Sequence, residues 1–184
     1  MLKFQFDKEK SASVLLYITQ NLETADFLRV FKVLYFAEQK HLARFGRPIV
    51  GDNYLAMKHG PVPSSIYFEL NNVGDSIDRI FKKQIYFSDF FEVKRKVIKN
   101  LSAKIEPNLD YISESELTCL NESLEENKHL SFKQLSDKSH DMAWKKANEN
   151  DEMDILEIAK SGGASDDMLT YISIMAENQN FTFA

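Results

Sequence analysis

Apolar positions recur at helical spacing from the start of the chain. After Asp7, suited to an N-cap, Ala12, Leu15, Leu16, Thr19 and Leu22 mark a first amphipathic helix ending near Asn21 to Glu23. In TADFLRVFKVLYFAEQKHLARFG, the residues Phe27, Val30, Phe31, Leu34, Ala37, His41, Leu42 and Phe45 line a wide, mostly apolar face. Thr24 is placed to cap this second helix, Gly46 to supply the left-handed residue after it, and Pro48 lies just beyond. The second helix is expected at the heart of the core.

NYLAM (Asn53 to Met57) is short, apolar and bounded by turn residues, which predicts a strand. Pro61 and Pro63 argue against a helix through them, and Pro63 fits a helix's first turn. Ile66, Leu70 and Val73 then give a third helix, stopped by Gly74. Further on, Val93, Arg95 and Val97 alternate with lysines, and Leu101, Ala103 and Ile105 alternate across LSAKIEP. Two strands with a turn near Lys99 to Ser102 are expected, completing a small antiparallel sheet with the 53–57 strand. A helix through 89–99 competes with that reading.

Ser113 with Glu116, and Ser131 with Gln134, have the form of capping boxes, flanked by Ile112/Leu117 and Leu130/Leu135 as hydrophobic staples. Helical turns around Ala143 to Ala147 and Asp154 to Lys160, and a last helix after Ser165, complete the pattern. Gly162-Gly163 separates the last two. The expected class is mainly α (α+β), with roughly six to eight helices and two or three short antiparallel strands. Residues 1–184 are expected to form a single domain, with 150–184 a C-terminal helical extension.

Composition narrows the function. Hydrophobic residues are 43% and aromatics 12% of the 184 residues, which is a globular composition. A net charge of −5 argues against a general nucleic-acid binder. The single cysteine, Cys119, excludes an internal disulfide and a multi-thiolate metal site, and fits a reducing compartment. No signal-peptide pattern and no membrane-length apolar run are evident, so a cytoplasmic protein is expected. Arg79 to Lys104 holds eight Lys/Arg against two Asp/Glu, whereas Ile105 to Ala184 holds six against seventeen. These are surfaces of opposite sign, or simply solvated faces.

Catalytic candidates are sparse. Lys58-His59 beside Asp52, and His140-Asp141, could each pair a base with an orienting group. No serine or cysteine has a nucleophile's setting, and Ser64-Ser65 read as helix-capping residues. His41 lies on the apolar face of the second helix. The four histidines lack metal-ligand spacing, and no phosphate-binding glycine loop is present, so neither metal nor cofactor is expected. Trp144, the only tryptophan, is a core anchor or a binding hot spot.

Several spaced motifs occur in order. They are Leu34-Tyr35-Phe36-Ala37, the Phe45 to Pro48 turn, and Asp52, Tyr54, Ala56, Gly60, Pro61 and Val62. Downstream come YISESELTCLNESL and LSFKQLSDKSHDMAWKKA. Together, over roughly residues 10 to 150, they resemble the Panacea domain, the SocA-like antitoxin-associated family found beside toxin genes and in prophages. Ile112 stands where the family has leucine.

The resemblance implies a mainly helical, non-enzymatic bacterial protein that binds a toxin encoded by an adjacent gene. A proteolytic adaptor, delivering a toxin to a protease, is the alternative. A small hydrolase using His59 or His140, and an operon regulator using the basic 79–104 region on DNA, are further alternatives. Asp52, Tyr54, Lys58, His59, Gly60, Pro61, His140 and Trp144 are the candidate motif or partner-contact residues. Glu122, Glu125 and Glu126 in the acidic half are expected to be exposed, and could steer a basic partner.

Overall fold

A computed structural model describes residues 2–73, 86–95 and 99–181. Helix α1 (Lys8–Gln20) starts where the Asp7 carboxylate accepts the Lys10 N–H at 2.9 Å. Helix α2 (Phe27–Phe45) is capped by Asp26, which accepts from the Arg29 N–H, and not by Thr24. Asp26 stands immediately before the first helical residue, where a cap oxygen reaches the N3 amide; Thr24 is two residues too early. Gly46 closes α2 with φ +68°.

Thirteen of the nineteen α2 residues are buried, so the helix is covered nearly all round. One side packs with Leu15, Leu16, Ile66, Leu70, Phe87, Phe91 and Leu120. The other packs with Tyr54, Ala56, Leu135, Ile158 and Ile172. A helix buried on both sides holds the two clusters together.

Strands β1 (Tyr54–Met57) and β2 (Gly60–Pro63) form an antiparallel hairpin, pairing Tyr54 with Pro63 and Met57 with Gly60. On the other side of β1, Met153 N–H bonds Tyr54 O at 2.8 Å, Ala56 N–H bonds Asp151 O at 2.9 Å and Asn150 N–H bonds Ala56 O at 2.8 Å. The backbone groups of Tyr54 and Ala56 thus face 150–153, and by alternation those of Leu55 and Met57 face β2. Pro61 and Pro63 therefore sit where β2 needs no N–H toward its partner. Their missing donors fall on the outer edge, where proline is tolerated.

Helix α3 (Ser64–Asn72) follows directly, with Pro63 at its N-cap position. Its expected stop at Gly74 lies outside the described residues, as do Val97 and much of the basic 79–104 region. A 3-10 turn (Tyr86–Asp89) leads into β3 (Phe91–Arg95), which pairs with β4 (Lys99–Ala103). Two expectations are corrected here. Lys99 to Ser102 belong to a strand and not a turn, and the β3–β4 pair forms its own sheet, separate from β1. Beyond β4, the Leu101 N–H bonds Ala25 O at 2.8 Å, so this sheet leans on the start of α2.

The remainder is helical: α4 (Glu114–Asn127), α5 (Phe132–Ser139), α6 (Met142–Lys146), α7 (Ile155–Ser161) and α8 (Asp166–Phe181). Both capping boxes form. Glu116 accepts the Ser113 N–H at 2.8 Å, and Gln134 accepts the Ser131 N–H at 2.9 Å. Helix α4 lies along α2, with the Ser123 hydroxyl donating to Val33 O at 2.6 Å. Arg29 donates to the Lys128 carbonyl at 2.7 Å, satisfying the end of α4. The fold is mainly α, with eight helices and two small antiparallel sheets among the described residues.

Candidate functional site

The β1–β2 turn is built by Lys58 and His59. Neither adopts positive φ; Gly60 does, at +94°. The turn is closed by this glycine at positive φ. A Cβ on Gly60 would lie 2.2 Å from Ser139 Oγ and 2.9 Å from Lys32 Nζ, so glycine also lets α2 and α5 close on the turn. Lys58 and His59 are exposed. The His59 ring packs edge-on against Phe132, with centroids 5.3 Å apart.

Trp144 lies beside the same turn. Its indole Nε1–H donates to the Met57 carbonyl at 3.0 Å, and His140 stacks on it at 3.9 Å. A groove of about 400 Å³ opens here, lined by Ala56, Lys58, Trp144, Lys145, Ala147 and Glu149.

Beneath the turn lies a buried polar layer. Lys32 is buried, and its Nζ donates to Pro61 O at 2.7 Å. Burial pushes its amine down to about 7, partly offset by the charge of Asp141. Asp141 caps α6 through the Trp144 N–H at 3.1 Å. It also accepts from Tyr35 Oη at 2.9 Å and from Gln39 Nε2 at 2.7 Å. Burial, then the Asp141 charge, pushes the Tyr35 phenol up.

The opposite end of the hairpin is held by two carboxylates. Asp52 accepts the N–H groups of Ser65 at 3.0 Å and Ile66 at 2.9 Å, and the Ser64 hydroxyl at 3.3 Å. It caps α3, a role the sequence suggests for Ser64 and Ser65. Glu38 accepts the N–H groups of Ile49 at 2.6 Å and Val50 at 3.0 Å. Burial pushes the Glu38 carboxyl up to about 7 against those two bonds. Tyr54 Oη is buried and makes no hydrogen bond among the described residues. It borders a cavity of about 20 Å³ that Glu38 and Asp52 also line.

Neither base–orienter pair assembles. Asp52 sits at the base of the hairpin and Lys58-His59 at its tip. Asp141 is engaged by Tyr35, Gln39 and Trp144, while His140 faces the indole and its Nε2 has no partner among the described residues. Burial, then the charge of Lys32, holds the His140 imidazole below its ordinary range. His41 is fully buried, bonding Arg47 O at 2.7 Å and Ser115 Oγ at 3.1 Å. No cluster of three potential metal ligands occurs among the described residues, and no helix there is long and apolar enough to cross a membrane.

What the fold does gather around one turn is Lys58, His59, Gly60, Pro61, His140 and Trp144. Asp52 and Tyr54 brace its far end. Lys32 and Glu38, which support both ends, are polar positions in VFKVLYFAEQ that the sequence pattern alone does not single out. The acids Glu122, Glu125 and Glu126 are matched by cations: Arg44 with Glu122 at 2.7 Å, Lys128 with Glu125 at 2.6 Å and Lys40 with Glu126 at 2.7 Å. Charge neutralised locally projects little field.

The segment that builds this arrangement carries the family assignment. The family model described as "Antitoxin SocA-like, Panacea domain" matches residues 30–145, more than half of the chain. The protein belongs to this family of SocA-like antitoxins. Comparison with curated proteins and with solved structures gives no match.

Proposed function

We propose that this protein is an antitoxin that neutralises a protein toxin, encoded by an adjacent gene, through direct contact in the cytoplasm. The observation that carries the reading is the family match, which spans the whole hairpin, its buried supports and Trp144. The geometry supports binding over catalysis, because the histidines lie apart from the carboxylates that would orient them. The exposed Lys58-His59 turn, braced by Lys32, Asp52 and Glu38, is a rigid feature suited to a partner surface. Such preorganisation lowers the ordering cost of association.

The test is co-expression with the small reading frame beside the gene. Growth should be rescued, and the two proteins should co-purify. Continued toxicity in the presence of folded protein counts against the reading. Rescue that needs a host protease, with the toxin disappearing, would indicate a proteolytic adaptor instead. Turnover lost in folded, partner-binding His59→Ala or His140→Ala protein would indicate an enzyme.

A further inference from the structure

We propose that the groove beside Trp144 seats an extended acidic segment of the partner, one apolar side chain against the indole and its carboxylates on Lys58 and Lys145. This rests on the antitoxin reading and specifies the chemistry of the contact.

Four observations support it. The groove, about 400 Å³, falls within the usual range for small binding sites of roughly 300–1,000 Å³. Its aromatic wall is immobilised before any partner arrives, since Trp144 is bonded to Met57 O at one edge and stacked by His140 on one side. Ala56 and Ala147 leave room for an apolar side chain beside it.

The fourth observation is charge. Neighbouring lysines are already engaged: Lys133 with Asp137 at 2.6 Å, Lys138 with Asn127 at 2.7 Å and Lys146 with Glu157 at 2.6 Å. The amines of Lys58 and Lys145 make no hydrogen bond or ion pair among the described residues. Glu149 is the one acid in the lining, so the groove carries two cations to one anion. Rim charges of this kind set partner sign and register. Single-stranded nucleic acid could also stack on an indole. It is disfavoured because its affinity needs a cationic track, whereas the chain carries a net −5 and the groove only two free amines.

Trp144 is the only tryptophan, so its emission reports occupancy of the groove directly. The probes are the capped hexapeptide Glu-Asp-Leu-Phe-Asp-Glu, its mirror Lys-Lys-Leu-Phe-Lys-Lys, and an oligothymidylate. The acidic peptide should shift the emission of the wild-type protein. The double variant Lys58→Glu, Lys145→Glu, whose side chains are exposed, should keep its circular dichroism and bind the acidic peptide at least about tenfold more weakly, while gaining affinity for the mirror. Equal response to both peptides, no response, or tighter binding of the oligonucleotide overturns the proposal. Neutralisation of the adjacent toxin separates the two readings. If the double variant still neutralises it, the groove is not the contact and the antitoxin function stands. If the wild-type protein fails to neutralise it, the antitoxin function falls, and the peptide titration still decides the groove.

Discussion

Lys32 Nζ donates to the Pro61 carbonyl at 2.7 Å, joining the central helix to the outer edge of the hairpin. A proline carbonyl on a free edge lacks a strand partner, and a buried amine lacks water. Each satisfies the other. The amine loses its proton near pH 7 in the folded state, against 10.5 ordinarily. Below pH 7 both folded and unfolded chains hold that proton, and folding bears the full cost of burying it. Between about 7 and 10.5 the folded state releases it first. The stability of the wild-type protein relative to Lys32→Met should therefore rise with pH across this window, by on the order of 5 kcal/mol. Urea titrations of both proteins at about pH 6 and about pH 10 measure it; a constant difference would exclude this ionisation.

Glu38 should show the opposite slope. Its carboxyl is raised from 4.5 to about 7, so the folded state holds a proton that the unfolded chain gives up. The stabilising contribution is complete below about 4.5 and is lost as pH rises through about 7. Glu38→Gln removes the titration and keeps an acceptor for one of the Ile49 and Val50 amides, which bond separate oxygens of Glu38. The wild-type protein should thus lose stability relative to Glu38→Gln between those two pH values, and an unchanged difference would place the carboxylate in a better-solvated setting.

Tyr35 and Tyr54 pack edge-to-face with ring centroids 5.2 Å apart, yet their hydroxyls should matter unequally. Tyr35→Phe removes a hydrogen bond to the half-buried Asp141 carboxylate and should cost about 1.5–3 kcal/mol. Tyr54→Phe removes a hydroxyl without a partner among the described residues and should change stability by less than about 1 kcal/mol, or raise it. Denaturation midpoints that rank the two substitutions the other way would contradict the hydrogen-bond assignment.

Gly60→Ala tests the turn. The positive φ and the close approach of Ser139 and Lys32 both oppose a side chain. A loss of roughly 1–3 kcal/mol is expected. Thermal unfolding reads it, and a shift of Trp144 emission would show that the Met57 contact moves with the turn. A neutral substitution would mean that the turn relaxes without its glycine.

The helices were legible because their signals are local. Asp7, Ser113 and Ser131 announce helix starts, Gly46 an end, and the 3.6-residue period does the rest. The hairpin was half legible. NYLAM reads as a strand, but GPVP does not, because two prolines in four residues normally mark a turn. Only the pairing pattern, with their backbones facing outward, makes them strand residues. The wrong partner for β1 has the same origin: which strands pair is decided by tertiary packing. Lys32 and Glu38 were missed at the site because a polar residue in an amphipathic helix is assigned to water by default. The available signal was the apolar density of VFKVLYFAEQ, where Lys32 stands between Phe31 and Val33 and Glu38 follows the apolar run Val33 to Ala37. A helix that rich in apolar residues leaves little of its circumference for solvent.

The backbone bonds from Met153 and Asn150 to β1 bear on where a working fragment can be cut. The family match ends at residue 145, short of both donors. A chain trimmed to that boundary would keep every candidate contact residue and still leave β1 with an unsatisfied row of amides and carbonyls. Such a row is a template for the next chain, so the shortened protein should self-associate through it. The smallest stably folded unit of this protein therefore extends past its recognisable motif.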